Sequence, residues 1–88
     1  MGAREAGFSA WKTRAVIRLL QLKRKYSGAE AAEIDELIAR LARLRRRDLR
    51  SLLARLSALS ERVPEVLEIA PSEEDVERWL REGGGRGG

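Results

Sequence analysis

From Glu30 to Val63 the chain runs without a single Gly or Pro, and it is rich in Leu and Arg. Wound at about 100° per residue, Ile34, Leu37, Ile38, Leu41, Leu44, Leu49, Leu52, Leu56, Leu59 and Val63 stay on one broad face, so one amphipathic helix can carry them all. Two positions on that face are not apolar: Arg45 and Asp48. They fall inside a cluster, Arg40, Arg43, Arg45, Arg46, Arg47 and Arg50, that has only Asp48 to answer it. A helix apolar on one side and strongly positive on the other calls for a partner on each side.

Two readings of this run compete. As one helix it reaches roughly 50 Å at 1.5 Å per residue, about twice the length of any helix before it, so Leu49, Leu52, Leu56, Leu59 and Val63 form a seam that only a second copy can cover. As two helices, it turns near Arg46 with Asp48 as N-cap of the second, and the chain closes into a small bundle. Continuous phase and the lack of a breaker favour one helix; the compactness of a monomer favours two. The pattern leans to the single long helix, and with it to a homo-oligomer, most simply a dimer.

Eighty-eight residues allow one domain, whose core is marginal without very regular helix packing or a second chain. Thirteen Leu and twelve Ala against one Phe, one Tyr and two Trp favour helices, since unbranched side chains lose little rotamer freedom there. Cys and His are absent. That excludes disulfides, thiol nucleophiles, the usual zinc ligand sets and imidazole acid-base chemistry. No apolar run approaches the roughly 18 residues of a membrane span, and no signal-peptide pattern opens the chain, which gives a cytoplasmic protein as the expectation.

Net charge is +4, but its distribution is uneven. Lys12 to Arg55 holds thirteen basic and five acidic residues, whereas Glu61 to Glu82 holds three basic and eight acidic ones. Such asymmetry points to nucleic acid or an acidic protein as partner, and it equally lets the acidic end fold back on the basic body.

Before the long run, Ser9 is a fitting N-cap for a first helix reaching about Tyr26. Phe8, Trp11, Ala15, Leu19, Leu22 and Tyr26 share its core face, flanked by Val16 and Leu20. Arg14, Arg18, Gln21 and Lys25 form a basic stripe on the flank, and Ile17 points away from the core. Ser27 and Glu30 have capping-box spacing, while Gly28 suits the left-handed end of the preceding helix; either way a short turn makes antiparallel neighbours. After the run, Pro64 stops the helix. Val66, Leu67 and Ile69 make a connector, and Pro71-Ser72 opens a last, acidic helix with Ser72 and Asp75 at capping-box spacing and Val76, Trp79 and Leu80 as its apolar patch. Gly83 closes that helix.

The chemistry these residues offer is narrow. Glu33 with Glu36, and Glu73 with Asp75, are carboxylate pairs at helix N-terminal ends, where the macrodipole alone explains them. No phosphate loop, dinucleotide fingerprint or catalytic serine is present. The expectation is therefore an all-α protein, an antiparallel helical hairpin with a long second helix, or one broken near Arg46, and a short acidic C-terminal helix. Residues 1–8 are read as a flexible N-terminus, 9–82 as the single helical domain and 83–88 as a Gly-rich tail. It is read as a non-enzymatic interaction module without cofactor or metal. Arg40, Arg43, Arg46, Arg47, Arg50, Arg14, Arg18 and Lys25 are the candidate contacts to nucleic acid or an acidic protein. A regulatory partner protein acting purely by helix packing is the alternative.

Overall fold

The computed structural model describes residues 7–84, and all regular secondary structure among them is helical. Helix α1 spans Phe8–Lys23, α2 Gly28–Ala42, α3 Leu49–Leu59 and α4 Glu73–Gly84; 3₁₀ segments occupy Arg46–Asp48 and Pro64–Ile69. Residues 1–6 of the expected flexible N-terminus and 85–88 of the expected tail lie outside the described residues. Phe8, by contrast, is buried in the core, and α4 continues through Gly83 to Gly84.

Helix α1 starts two residues earlier than a cap at Ser9 implies and ends at Lys23, short of the expected Tyr26. Gly7 occupies the N-cap position and Ser9 is an exposed residue of the first turn that makes no cap hydrogen bond. Starting at Phe8 puts that ring on the same helical face as Trp11, Ala15, Leu19 and Leu22, all of them buried. The gain from burying a phenyl ring, about 1.5–3 kcal/mol, exceeds the ~1 kcal/mol a serine cap offers. Leu20 does not join this face and is half exposed, as is Ile17.

At the first joint, Gly28 adopts φ +65°, the left-handed conformation that glycine takes without steric cost. Ser27 is extended and its hydroxyl caps nothing, so the turn depends on the glycine and no capping box forms. The two helices are antiparallel. Lys12 near the start of α1 donates to the Leu44 carbonyl just past the end of α2 at 3.0 Å, while Lys23 at the end of α1 pairs with Asp35 of α2 at 3.0 Å.

The single long helix does not form. Helix α2 ends at Ala42, the backbone turns extended at Arg45, and α3 begins at Leu49 after one 3₁₀ turn. Asp48 holds the N-cap position of α3, as the two-helix reading placed it, although its carboxylate makes no cap bond. A helix from Glu30 to Val63 would be about 50 Å long, longer than the 41 Å maximum extent of the molecule. Magnitudes decide the outcome. The break forfeits a few backbone hydrogen bonds at about 1 kcal/mol net each; folding α3 back buries Leu49, Leu52, Leu56, Leu59 and Val63, at about 1.5–3 kcal/mol per side chain. The five side chains expected to form an oligomer seam are, in this fold, buried in the chain's own core. Like charges at helical three- and four-residue spacing, Arg43 with Arg46 and Arg47, further weaken a helix across this point.

After α3, Val63 and Pro64 lead into the second 3₁₀ segment, which turns Val66 and Ile69 inward and Leu67 outward. Helix α4 then returns over the N-terminal end of α1. Its start is half of the expected capping box, with the Asp75 amide donating to Ser72 Oγ at 3.1 Å while the Asp75 carboxylate accepts from Arg78 instead. Trp79 completes an aromatic cluster: its ring centroid lies 5.7 Å from Phe8 and 5.5 Å from Trp11. Trp11 Nε1 donates to the Ile69 carbonyl at 2.7 Å, tying α1 to the 3₁₀ segment, whereas Trp79 Nε1 is buried with no hydrogen-bond partner among the described residues.

This asymmetry between the two indoles is measurable. Trp11→Phe strands a buried carbonyl and Trp79→Phe removes an unpartnered donor, so the Trp11 variant should be the less stable by about 1–3 kcal/mol in urea unfolding followed by circular dichroism. Equal losses would mean the Trp11 hydrogen bond contributes nothing.

Candidate anion-binding groove

The turn between α2 and α3 splits the arginine cluster in two. On one side, Arg46 and Arg50 face α4: Arg46 Nη1 lies 3.3 Å from Glu82 Oε1, and Arg50 Nη2 lies 3.2 Å from Glu73 Oε2. The Arg46 guanidinium also sits 5.2 Å from the centre of the Phe8 ring, a cation–π position. On the other side, Arg40 and Arg43 of the α2 end and Arg55 of α3 line a groove of about 620 Å³, over a floor that includes Leu44 and Leu52. Ala39 and Ser51 on its walls are too small to fill it. The groove region continues toward Ala58 in a second hollow of about 280 Å³ that again includes Arg40 and Arg55.

Two carboxylates, Glu36 and Asp48, share the groove. Glu36 is engaged by Arg40 at 3.3 Å, and Glu33 at the far end is held by Arg62 at 2.6 Å. That contact raises the pKa of Arg62, chiefly through the hydrogen bond to Glu33. Arg43, Arg45, Arg47 and Arg55 form no ion pair among the described residues, and of the two carboxylates lining the groove Asp48 forms none either. The guanidinium groups stay charged at any physiological pH.

The eight candidate contacts therefore do not form one surface. Arg40 and Arg43 line the groove, Arg47 stands exposed in the adjoining turn, and Arg46 and Arg50 belong to the α4 side. The α1 residues are elsewhere. Arg18 pairs with Glu68 at 2.7 Å and Lys25 with Glu65 at 3.7 Å, so both run along the Pro64–Ile69 segment. Arg14 borders a separate hollow beside Trp11 and Asp75. Arg55, absent from the candidates read in the sequence, becomes a groove residue because the break sets α3 beside α2. Its only sequence signal is that a turn near Arg46 would bring it back toward Arg40. The carboxylate pairs are likewise engaged by arginines, Glu33 by Arg62, Glu36 by Arg40, Glu73 by Arg50 and Asp75 by Arg78.

Two polar contacts, from Lys25 and from Tyr26, link the hairpin joint to Glu65 in the acidic half of the chain. Tyr26 Oη donates to Glu65 Oε1 at 2.5 Å. This hydrogen bond is the main reason that the Glu65 carboxyl sits below its ordinary value near 4.5 and the Tyr26 phenol above its ordinary value of 10.0. No known protein family, curated protein or solved structure matches this chain.

The depressed Glu65 value stabilises the fold at any pH above the ordinary glutamate range, and that contribution is lost as pH falls through the lower, folded-state value. Tyr26→Phe should move the Glu65 titration, followed by carboxyl NMR, up toward the ordinary value and flatten the acid limb of the stability curve. An unchanged titration would rule out Tyr26 as the cause.

Proposed function

We propose that this protein is a non-catalytic module that holds the phosphate backbone of duplex nucleic acid through the α2/α3 groove and the turn beside it. The observation that carries this reading is that Arg43, from the turn after α2, and Arg55, from α3, line one groove without carboxylate partners among the described residues, next to the equally unpaired Arg45 and Arg47. Arginine suits the role, because its planar fork of donors matches phosphate oxygens bidentately. Phe8, Trp11 and Trp79 are buried and Tyr26 is half-buried with its hydroxyl engaged, so none of these rings is free to stack on unpaired bases. That favours a duplex over a single strand, and contacts to phosphate over readout of bases. The chain also lacks His and Cys, and among the described residues no charged side chain is buried. The cytoplasm, where nucleic acid is at hand, fits this role.

A second reading has one observation behind it. Ile17 and Leu20, three residues apart on the outer face of α1, are 51% and 49% exposed, a foothold for a regulatory protein partner that binds by helix packing. Replacing both with Ser would abolish such a complex and leave nucleic-acid affinity untouched.

Fluorescence anisotropy with a labelled duplex tests the main reading. Four phosphate contacts give a slope of log affinity against log salt of about −3 to −4, and Arg43→Gln with Arg55→Gln should make it shallower by about 2. Failure to bind at about 50 mM salt, or a slope indifferent to both substitutions, would defeat it.

A further inference from the structure

We propose that α4 is an internal competitor for the polyanion: Glu82 and Glu73 stand where phosphates would otherwise sit on Arg46 and Arg50, so that displacing these two carboxylates extends the binding surface around the turn. The proposal rests on the nucleic-acid reading above and adds the regulation of that surface. Arg46 and Arg50 are interleaved with the unpaired Arg45 and Arg47, and Arg50 follows Arg47 by three residues, one turn of the chain. A polyanion lying along the turn from the groove meets them next.

The carboxylates that cover them are not what docks α4. Val76 and Trp79 are buried against the core, with Trp79 in ring contact with Phe8 and Trp11. The ion pairs themselves are open to water, the Arg50 and Glu73 side chains being 57% and 69% exposed and those of Arg46 and Glu82 36% and 50%. Pairs of this kind are weak and screened by salt, so a row of phosphates can replace them while the helix remains in place. Their advantage is proximity: tethered to the same chain, they compete at high effective concentration.

The same helix supplies its own control. Glu74 and Glu77 are exposed and form no ion pair among the described residues. Glu73→Gln with Glu82→Gln, and Glu74→Gln with Glu77→Gln, change the net charge equally, yet only the first pair frees Arg46 and Arg50. Binding of the full chain to a labelled duplex is measured over a salt series, with thermal unfolding by circular dichroism confirming that α4 stays docked. The expected result is roughly tenfold tighter binding at about 50 mM salt for the Glu73/Glu82 variant and a slope steeper by about 1.8, the signature of two additional phosphates. The Glu74/Glu77 variant should gain less, with an unchanged slope. Equal gains and equal slopes in both variants would overturn internal competition while leaving the groove reading intact. Absence of binding by wild type and both variants would overturn the two together.

Discussion

Everything in this fold depends on α2 ending at Ala42. The apolar face from Ile34 to Val63 is longer than α1 can cover, and a chain of this size has nothing else of comparable length to lay along it. Turning at Arg43 to Asp48 halves the problem: α2 packs along α1, and α3 folds its leucines into the same core. The Lys12 ammonium, bound to the Leu44 carbonyl, satisfies a backbone acceptor in the turn just past α2. The turn is therefore secured by α1 as well as by the hydrophobic core.

That same turn decides what the arginines can do. In a continuous helix Arg40, Arg43, Arg47 and Arg50 would stand in one outward row. Here they are distributed between a groove shared with Arg55, an exposed turn and a neighbouring acidic helix. Separation changes their electrostatics as much as their position, because the α4 side finds carboxylates and the groove side finds few. The cations of α1 are handled in the same way, with Glu65 and Glu68 taking Lys25 and Arg18. The acidic C-terminal half thus folds over part of the basic body and leaves one sector of it uncompensated.

The aromatic cluster shows how far apart in sequence the elements of one contact can be. Phe8 and Trp11 belong to the first helix and Trp79 to the last, and each segment read alone gives only a local apolar patch. Burial of all three rings, with Arg46 over Phe8, is what seats α4 close enough for Glu73 and Glu82 to reach their arginines. Charge pairing on that side follows from apolar packing.

Sequence alone determined the helical class, the apolar face of α1, the glycine at the first joint and the Ser72 cap, because each arises from local backbone preference or from the period of apolar side chains along one helix; the helix expected to run up to Pro64 ends earlier, at Leu59, and Pro64 opens the 3₁₀ segment. Sequence also marked every buried leucine of the long run, since the same residues face inward whether the helix is whole or broken. It left the break itself open: no residue between Glu30 and Val63 forbids a helix, and the loss of a few hydrogen bonds is outweighed only once α2, the 3₁₀ segments and α4 are assembled to receive the second half of the apolar face. Tertiary structure alone decided that outcome, and with it the meeting of Arg55 with Arg43, the joining of Trp79 to Trp11 and the capture of Arg46 and Arg50 by α4, because those contacts exist only between segments brought together by burial.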